Sequence, residues 1–315
     1  MHMRRVACIG LLTAAVSLGV AGPASASTAW VSQVTNTLFY QAAPGETNAL
    51  EISDGPAGIT LVDTAAVIVP GNGCIAVSAN EVLCEGASVL GRLGDGNDTG
   101  AVVLGDRVHG IVGGTGDDVL TVCAGCTGSL HGDDGDDHLV GGDIRGTLDG
   151  GAGNDVIEGG DGEDFIAGDK GNDLIAAGAG ADTILPGLGN DTVDGGADRD
   201  TLRYATATRP MLVDLKLGTA TGDGPDIFVG IENVFGSRFS DDLRGDGQIN
   251  RLSGGDRGND VLRGRGGRDF LFGGIGRDII YSRDGERDDV RGGPDWDRAH
   301  VDRGLDLVRD VERFF

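Results

Sequence analysis

The sequence is poor in aromatic, basic and proline residues, and each shortage excludes a class of protein. Aromatic residues make up 4% of its 315 residues, which argues against one large packed core of the usual kind. Lysine and arginine number 25 against 50 aspartates and glutamates, a formal net charge of −25. Binders of nucleic acid or anionic membranes need a basic surface, so both are excluded. The 8 prolines are too few for collagen.

Glycine and acidic residues are what the sequence has in excess. The 59 glycines among 315 residues are well above the usual share of roughly 7%. High charge with low hydrophobicity is also typical of disordered chains. Composition alone therefore leaves two alternatives, a disordered acidic chain or a repeated array held together by a counter-charge.

The N-terminus has the features of a secretory signal peptide. Arg4 and Arg5 precede an apolar stretch from Val6 to Val20, and the small residues Ala24-Ser25-Ala26 follow. This stretch is shorter than the roughly 20 residues that span a bilayer, and no second stretch of the kind occurs. We therefore expect residues 1–26 to be removed on export, and we predict a secreted, extracellular protein without a membrane span.

Four cysteines remain after the predicted cleavage, and an even number in an oxidising compartment favours disulfides. Local pairing, Cys74 with Cys84 and Cys123 with Cys126, is the simplest of three connectivities. A zinc site is an alternative, since His131 and His138 follow the Cys123–Cys126 pair, but the spacing matches no common zinc motif.

A nine-residue repeat organises most of the chain. From Gly132 to Arg203 the sequence divides into eight consecutive nonapeptides without an insertion. Position 8 is aliphatic in all eight, at Leu139, Leu148, Ile157, Ile166, Ile175, Ile184, Val193 and Leu202. Position 6 is aspartate in seven, at Asp137, Asp155, Asp164, Asp173, Asp182, Asp191 and Asp200. A disordered linker has no reason to keep this period, so the repeat indicates an ordered array.

Each preferred residue has a physical reason. Glycine adopts positive φ at no steric cost, so a GGxG run turns sharply and directs carbonyl oxygens into a shared space. Carbonyl and carboxylate oxygens are the ligands that Ca²⁺ prefers. The three residues after position 6 make a short strand whose middle side chain points inward. Two units then close one coil of 18 residues, and the coils stack by strand pairing.

The pattern G-G-x-G-x-D-x-aliphatic-x resembles the repeats-in-toxin (RTX, haemolysin-type) calcium-binding family. It is clearest in GGTGDDVLT (Gly113–Thr121), GGAGNDVIE (Gly150–Glu158) and GGDGEDFIA (Gly159–Ala167). The resemblance implies an all-β fold, a right-handed parallel β-roll or β-helix solenoid, that binds several Ca²⁺ ions between successive turns. It implies no catalysis by the repeats.

The resemblance also implies the ligands. The expected carboxylate ligands are Asp98, Asp118, Asp137, Asp155, Asp164, Asp173, Asp182, Asp191, Asp200, Asp241, Asp260, Asp269, Asp278, Asp297 and Asp306. The expected turn glycines are Gly114, Gly116, Gly151, Gly153, Gly160, Gly162, Gly171, Gly180, Gly189, Gly274 and Gly276. Aspartates outside position 6, namely Asp133, Asp134, Asp136, Asp161 and Asp169, are interpreted as solvated surface residues.

An 18-residue coil predicts that the ligands lie on two edges. One edge carries Asp98, Asp118, Asp137, Asp155, Asp173 and Asp191, and the other carries Asp164, Asp182 and Asp200. Upstream of Asp164 the second edge has Gly146 and then the Cys123–Cys126 segment in place of aspartate. We therefore expect calcium on one edge only until about residue 158, and a disulfide where an ion is missing.

A second array with looser phase runs from Gly236 to Arg309. Its sixth positions include Asn250 and either Asp288 or Asp289, and extra residues near Arg257 and Arg287 make two units ten residues long. Arginines enter the turns at Arg265, Arg268, Arg277 and Arg283. Because a nearby cation competes with a metal ion, full calcium occupancy is not expected here.

The predicted organisation has five parts. A signal peptide (1–26) precedes a β-rich N-terminal cap (27–92) and a first calcium-binding array (93–203). A linking block (204–235), in which Asp226 takes the place of a ligand, leads to a second array with a C-terminal cap (236–315). We expect Val308, Val311, Phe314 and Phe315 to cover the last coil.

No enzyme motif accompanies the repeats. The sequence has no H-E-x-x-H, G-x-S-x-G or Walker-type motif. We therefore predict a secreted, non-catalytic calcium-binding protein that folds on metal binding and acts as a structural or surface-interaction module. The alternative is an adhesin whose cap binds an unknown cell-surface or glycan ligand; a secreted hydrolase is a third and weaker alternative.

Overall fold

The computed structural model describes residues 26–32, 37–55, 58–70, 74–84, 88–104 and 108–315. Apart from Ala26, the predicted signal peptide lies outside the described residues. Within these ranges the regular secondary structure consists of strands alone, and no helix is long and apolar enough to cross a membrane. The strands build a parallel β-solenoid of about 12 turns, which confirms the predicted fold class.

The first array alternates between two sheets, because each nonapeptide supplies one strand and one turn. Sheet A contains β8 (Ser88–Asp95), β10 (Val108–Thr115), β12 (Thr127–Asp134), β14 (Thr147–Ala152), β16 (Phe165–Lys170), β18 (Thr183–Leu185) and β20 (Thr201–Arg203). Sheet B contains β9 (Thr99–Leu104), β11 (Val119–Val122), β13 (His138–Val140), β15 (Val156–Gly160), β17 (Leu174–Gly178) and β19 (Thr192–Asp194).

The register follows the repeat. Leu148 pairs with Ile166 and Ile166 with Ile184 in sheet A, each 18 residues apart. These position-8 side chains are buried in a single column of the core, while their neighbours at positions 7 and 9 are exposed or half-buried, apart from the small Ala167. One inward side chain per strand explains how a chain with so few aromatic residues forms a core.

The linking block changes the topology of sheet B only. It supplies β21 (Leu212–Asp214), β22 (Thr219–Thr221) and β23 (Pro225–Val229) to sheet B, and β24 (Asn233–Phe235) to sheet A. β23 continues from β19 in parallel, β22 pairs antiparallel with both β21 and β23, and β24 pairs directly with β20. Sheet B therefore gains a reversed strand and its partner that sheet A lacks.

The second array restores the alternation. Sheet A continues with β26 (Arg251–Ser253), β28 (Phe270–Phe272), β30 (Asp289–Arg291) and β32 (Leu307–Arg309). Sheet B continues from β21 with β25 (Asp242–Arg244), β27 (Val261–Arg263), β29 (Ile279–Tyr281), β31 (Arg298–His300) and β33 (Arg313–Phe314). Val308 and Val311 pack against the core, but Phe314 and Phe315 remain 39% and 45% exposed. Phe314 pairs with Ala299 at the end of sheet B and Phe315 stacks on His300, so both phenylalanines lie on the last coil and remain partly exposed.

The N-terminal region closes the other end of both sheets. Its strands are β1 (Ser27–Val31), β2 (Thr37–Gln41), β3 (Ala49–Gly55), β4 (Gly58–Asp63), β5 (Ile68–Pro70), β6 (Cys74–Ala76) and β7 (Glu81–Cys84). β2 pairs in parallel with β8, and β3 with β9, so this region supplies the first rung of the solenoid. The other strands pair antiparallel around them, apart from β5, which lies parallel to β1.

Candidate metal sites in the turns

The turns place the position-6 aspartates in two columns along the solenoid. On the first edge, where the chain passes from sheet A to sheet B, lie Asp98, Asp118, Asp137, Asp155, Asp173, Asp191, Asp241, Asp260, Asp278 and Asp297. On the second edge, where it passes from sheet B to sheet A, lie Asp164, Asp182, Asp200, Asp269, Asp288 and Asp306. Within each array, successive aspartates of the same edge are one coil apart, as an 18-residue coil predicts.

One oxygen of each carboxylate links its coil to the one before. The main-chain N–H of Asp137 donates to Oδ1 of Asp155 at 2.8 Å, and the N–H of Asp164 donates to Oδ1 of Asp182 at 2.7 Å. The ladder begins at the buried Asn48, whose N–H donates to Oδ1 of Asp98 at 2.6 Å. Each aspartate thus holds its neighbouring turn at a fixed distance.

The second oxygen of most of these carboxylates is buried and has no hydrogen-bond partner among the described residues. These Oδ2 atoms belong to Asp98, Asp118, Asp137, Asp155, Asp164, Asp173, Asp182, Asp191, Asp200, Asp260, Asp269, Asp278, Asp288 and Asp297. A buried, unpaired carboxylate oxygen costs free energy unless a donor or a cation completes it. Its repetition at one position of the repeat indicates a shared missing partner rather than isolated packing defects.

Glycine is needed in these turns for two reasons. At position 1 a Cβ would overlap the aspartate of the same turn, as at Gly132, where it would meet Oδ2 of Asp137 and the carbonyl oxygen of Gly150. At positions 2 and 4 the backbone has positive φ in all but one of the predicted turn glycines: Gly114, Gly116, Gly151, Gly153, Gly160, Gly171, Gly180, Gly189, Gly274 and Gly276. Gly162 is the exception, and a Cβ there would overlap the backbone of Arg145.

Burial raises the pKa of these carboxyl groups. Burial, reinforced by the neighbouring carboxylates, raises the pKa of Asp155 and of Asp173 to about 7. The same causes raise the pKa of Asp260 to about 8. The ionised form is therefore unfavourable in these turns until a positive charge lies beside it, which a cation bound by the free Oδ2 atoms would provide.

The second edge starts without carboxylates, as expected from the sequence. Gly146 and Gly128 occupy the position of Asp164 one and two coils earlier, and the Cys123–Cys126 disulfide forms the turn before Gly128. The structure also joins Cys74 to Cys84 across β6 and β7. The zinc alternative loses its thiolate ligands, because both sulfurs of the Cys123–Cys126 segment are bonded to each other.

Some predicted ligands already have protein donors. Both oxygens of Asp241 accept hydrogen bonds, Oδ1 from the Met211 N–H at 2.7 Å and Oδ2 from the Ser237 N–H at 2.6 Å. In the linking block, Asp226 accepts from the Tyr204 hydroxyl at 3.1 Å and from the Asp191 N–H.

Two further turns are complete in the same way. Asp306 accepts from the Asp288 and Asp302 N–H groups and from the Ser282 hydroxyl. Asn250, a neutral amide at position 6, donates to the Glu232 carbonyl and accepts from the Asp246 N–H. The side-chain oxygens of Asp306 and Asn250 therefore have protein hydrogen-bond donors and need no metal.

An arginine neutralises one buried carboxylate near the junction between the arrays. Asp214 is 2% exposed and forms a two-pronged ion pair with Arg265, with both N–O distances at 2.7 Å. Arg265 also donates to the Gly245 carbonyl at 2.6 Å. This pairing lowers the pKa of Asp214. The guanidinium therefore contacts one carboxylate and one turn carbonyl, the two kinds of oxygen that Ca²⁺ takes as ligands.

Where the repeat loses its phase, the sequence left open whether Asp288 or Asp289 enters the turn, and two glutamates at ligand-equivalent positions were missed. Asp288 is buried in the turn, whereas Asp289 begins β30, so the ten-residue unit places its extra residue before Asp288. Glu232 and Glu312 continue the ladders with longer side chains, accepting the N–H of Asp200 and of Asp297 at 3.0 and 2.7 Å. An acidic residue immediately before a strand is the signal that could have found both glutamates.

Comparison with family models agrees with this geometry. The RTX calcium-binding nonapeptide repeat matches the chain in four copies, over residues 129–143, 145–175, 168–202 and 255–286. This chain contains RTX repeats. A search of curated proteins gave no match.

Ten of the fourteen unpaired Oδ2 atoms in the described part of the chain lie within the matched RTX segments, whereas Asp226 and Asp241, which have protein donors, lie in the unmatched stretch between 203 and 254. The free carboxylate oxygens and the glycine-rich turns therefore fit Ca²⁺, which takes six to eight oxygen ligands from carboxylates and carbonyls.

Proposed function

We propose that the protein is a secreted, non-catalytic calcium-binding solenoid whose two arrays fold on binding Ca²⁺. The single observation that carries this proposal is the repeated Oδ2 atom, buried and unpaired in both RTX arrays. Calcium beside these atoms would neutralise stacked carboxylates and would bind only the folded turns. Its binding free energy would then contribute directly to folding.

Calcium dependence is proposed to be uneven along the chain. Around the junction, Asp241, Asp226 and Asp214 are completed by a serine, a tyrosine and an arginine. These internal partners need no metal, so the linking block and the first coil after it would remain folded when calcium is removed. The protein would then consist of two calcium-dependent arrays on either side of a calcium-independent junction.

Export is proposed from two features of different kinds. The N-terminal sequence has a basic start and an apolar stretch, and the described residues contain two disulfides, which persist in oxidising compartments. The non-catalytic role is proposed because the sequence has no nucleophile or metalloprotease motif, and because the groups with raised pKa repeat along the turns instead of converging on one cleft.

Circular dichroism with and without a calcium chelator tests the proposal. We expect most of the strand signal to be lost in chelator and restored by excess calcium. A strand signal that chelation leaves unchanged contradicts the proposal.

A second candidate function, surface recognition by the N-terminal cap, is favoured by a row of exposed aliphatic side chains. Val67, Val69, Ile75 and Val77 are each between 47% and 64% exposed on and beside β5 and β6. A panel of immobilised glycans, probed with the full chain and with its Ile75→Asp variant, tests this function. Binding that the substitution abolishes supports an adhesin, and absence of binding to the panel argues against it.

A further inference from the structure

The second array contains a cluster of three aspartates that the repeat does not predict. Ligand oxygens of Asp269, Asp284 and Asp288 lie within 4.8 Å of one another. Asp269 and Asp288 are position-6 residues on consecutive coils of the second edge, but Asp284 occupies the third position of its turn. At that position the repeat has no preferred residue, so neither the pattern nor the family model singles Asp284 out.

Two of these side chains are buried and incomplete. Asp269 and Asp288 are 0% and 1% exposed, and the Oδ2 atom of each lacks a hydrogen-bond partner among the described residues. Their Oδ1 atoms are used by the ladder, accepting the Asn250 and Asp269 N–H groups. Two buried carboxylates, each with one unpaired oxygen, thus lie beside the exposed Asp284.

Asp284 is held in this position by its own turn and by the next coil. Its main-chain N–H donates to Oδ2 of Asp302 at 2.9 Å, and its Oδ1 accepts the Glu286 N–H at 2.7 Å. The exposed Arg283 of the same turn lies 3.8 Å from Asp302, Nε to Oδ1. Within the described residues no basic side chain forms an ion pair with Asp284, which its hydrogen bonds hold beside the other two carboxylates.

We propose that Asp284 is a side-chain ligand of a cation site with Asp269 and Asp288, and that this site binds Ca²⁺ more tightly than the ordinary turns. The inference rests on the proposed calcium-dependent folding of the arrays. Affinity for Ca²⁺ rises with the number of charged ligands and with their rigidity, and this site adds one carboxylate from a fixed turn. The turns around residues 264–291 would then fill first as calcium rises.

Asp256 provides a matched control. It is also an aspartate at the third position of a ten-residue unit, and it is exposed like Asp284. It lies on the first edge, and within the part of the chain that the structure describes it belongs to no group of three metal-ligating side chains. Asp256→Asn removes the same charge from an equivalent turn position without touching the cluster.

Hydrogen exchange of the full chain, followed by mass spectrometry at a series of free calcium concentrations, tests the site. In the unmodified protein, peptides from 264–291 should become protected at a calcium concentration about tenfold lower than peptides from 150–175. Asp284→Asn should raise the midpoint for 264–291 about tenfold, and Asp256→Asn should leave that midpoint unchanged. Circular dichroism at saturating calcium checks that both variants fold.

The outcomes separate this inference from the function on which it rests. If 264–291 responds at the same calcium concentration as 150–175, or if both variants shift its midpoint alike, Asp284 is not a ligand although the arrays bind calcium. If no peptide gains protection with calcium, the proposed function fails as well. The comparison between peptides 264–291 and 150–175 uses the unmodified protein alone, so it still tests the site if a variant fails to fold.

Discussion

The main-chain N–H of Asp155 donates to Oδ1 of Asp173 at 2.9 Å, one coil further along, while Oδ2 of Asp173 is buried without a partner among the described residues. One oxygen of this side chain is therefore structural, and the other is available to a cation. The same difference between Oδ1 and Oδ2 recurs in both arrays. Replacing the aspartate by alanine would remove both the ladder acceptor and the proposed cation ligand, whereas replacing it by asparagine keeps the acceptor.

Asp173→Asn keeps the acceptor oxygen of the ladder and removes the charge. An ion present at about a hundred times its dissociation constant contributes about 2.7 kcal/mol, so we expect a loss of that order in calcium. We expect a smaller loss at low calcium, where the site is only partly filled. Thermal unfolding at saturating calcium and at the lowest calcium concentration that still folds the chain measures both losses, with the exposed Asp161→Asn as the control. A variant that is equally destabilised at both calcium concentrations would assign Asp173 a purely structural role.

Glycine at position 1 is predicted to be required by space and not by backbone conformation. Gly132→Ala places a methyl group against Oδ2 of Asp137 and the Gly150 carbonyl, and overpacking of this kind costs roughly 1–3 kcal/mol. We expect a higher calcium midpoint for folding, because the displaced oxygen is a proposed ligand. Gly247→Ala is the control, since a Cβ there meets nothing within 4 Å. Equal midpoints for the two variants would contradict the prediction.

The junction is predicted to depend on Arg265 instead of calcium. Arg265→Met leaves the buried Asp214 without its two-pronged partner. Removing one partner of a buried ion pair costs up to 3–5 kcal/mol, and because Arg265 is partly exposed we expect about 1–3 kcal/mol after screening. Hydrogen exchange of peptides from 204–250 should show the loss in calcium, where the turn that holds Arg265 is folded. Exchange in this segment that becomes protected only with calcium, in the unmodified protein, would contradict a metal-free junction.

Stability without calcium should increase as the pH falls. Burial raises the pKa of Asp155, Asp173 and Asp191 to about 7, against about 3.9 for aspartate in an unfolded chain. Between these values the folded state binds more protons than the unfolded state, so the folded state loses stability as the pH rises from about 4 to about 7, and the loss is complete above about 7. Circular dichroism of protein stripped of calcium, from about pH 8 down to about pH 5, should show a strand signal that increases as the pH falls below about 7. A strand signal that stays constant or falls over this range would contradict the assignment.

Periodic residues could be predicted from the sequence, and residues outside the period could not. The core column through Leu148, Ile166 and Ile184 follows directly from position 8, and the two edges follow from an 18-residue coil. The linking block could not be derived, because a reversed strand such as Thr219–Thr221 depends on which neighbours it pairs with. Sequence alone also left open whether Asp288 or Asp289 enters the turn.

Contacts between residues far apart in the sequence are a second kind of feature that the repeat pattern does not predict. Arg265 and Asp214 are 51 residues apart, and only the stacking of β21 on β25 brings their turns together. The arginines of the second array were expected to compete with calcium, but the sequence did not indicate which carboxylate each would meet. The contact between Ser237 and Asp241 is a similar case. Whether the Ser237 hydroxyl can donate to Asp241 in place of a metal depends on side-chain geometry, which the sequence does not show.

A crystal structure grown with calcium, with ions located by anomalous scattering, tests the central claim most directly. The account predicts ions beside the Oδ2 atoms of Asp118, Asp137, Asp155, Asp173 and Asp191 on the first edge, and none in the turns of Asp241 and Asp306. Ions absent from the first-edge turns, or distributed equally over the turns that already have protein donors, would contradict it.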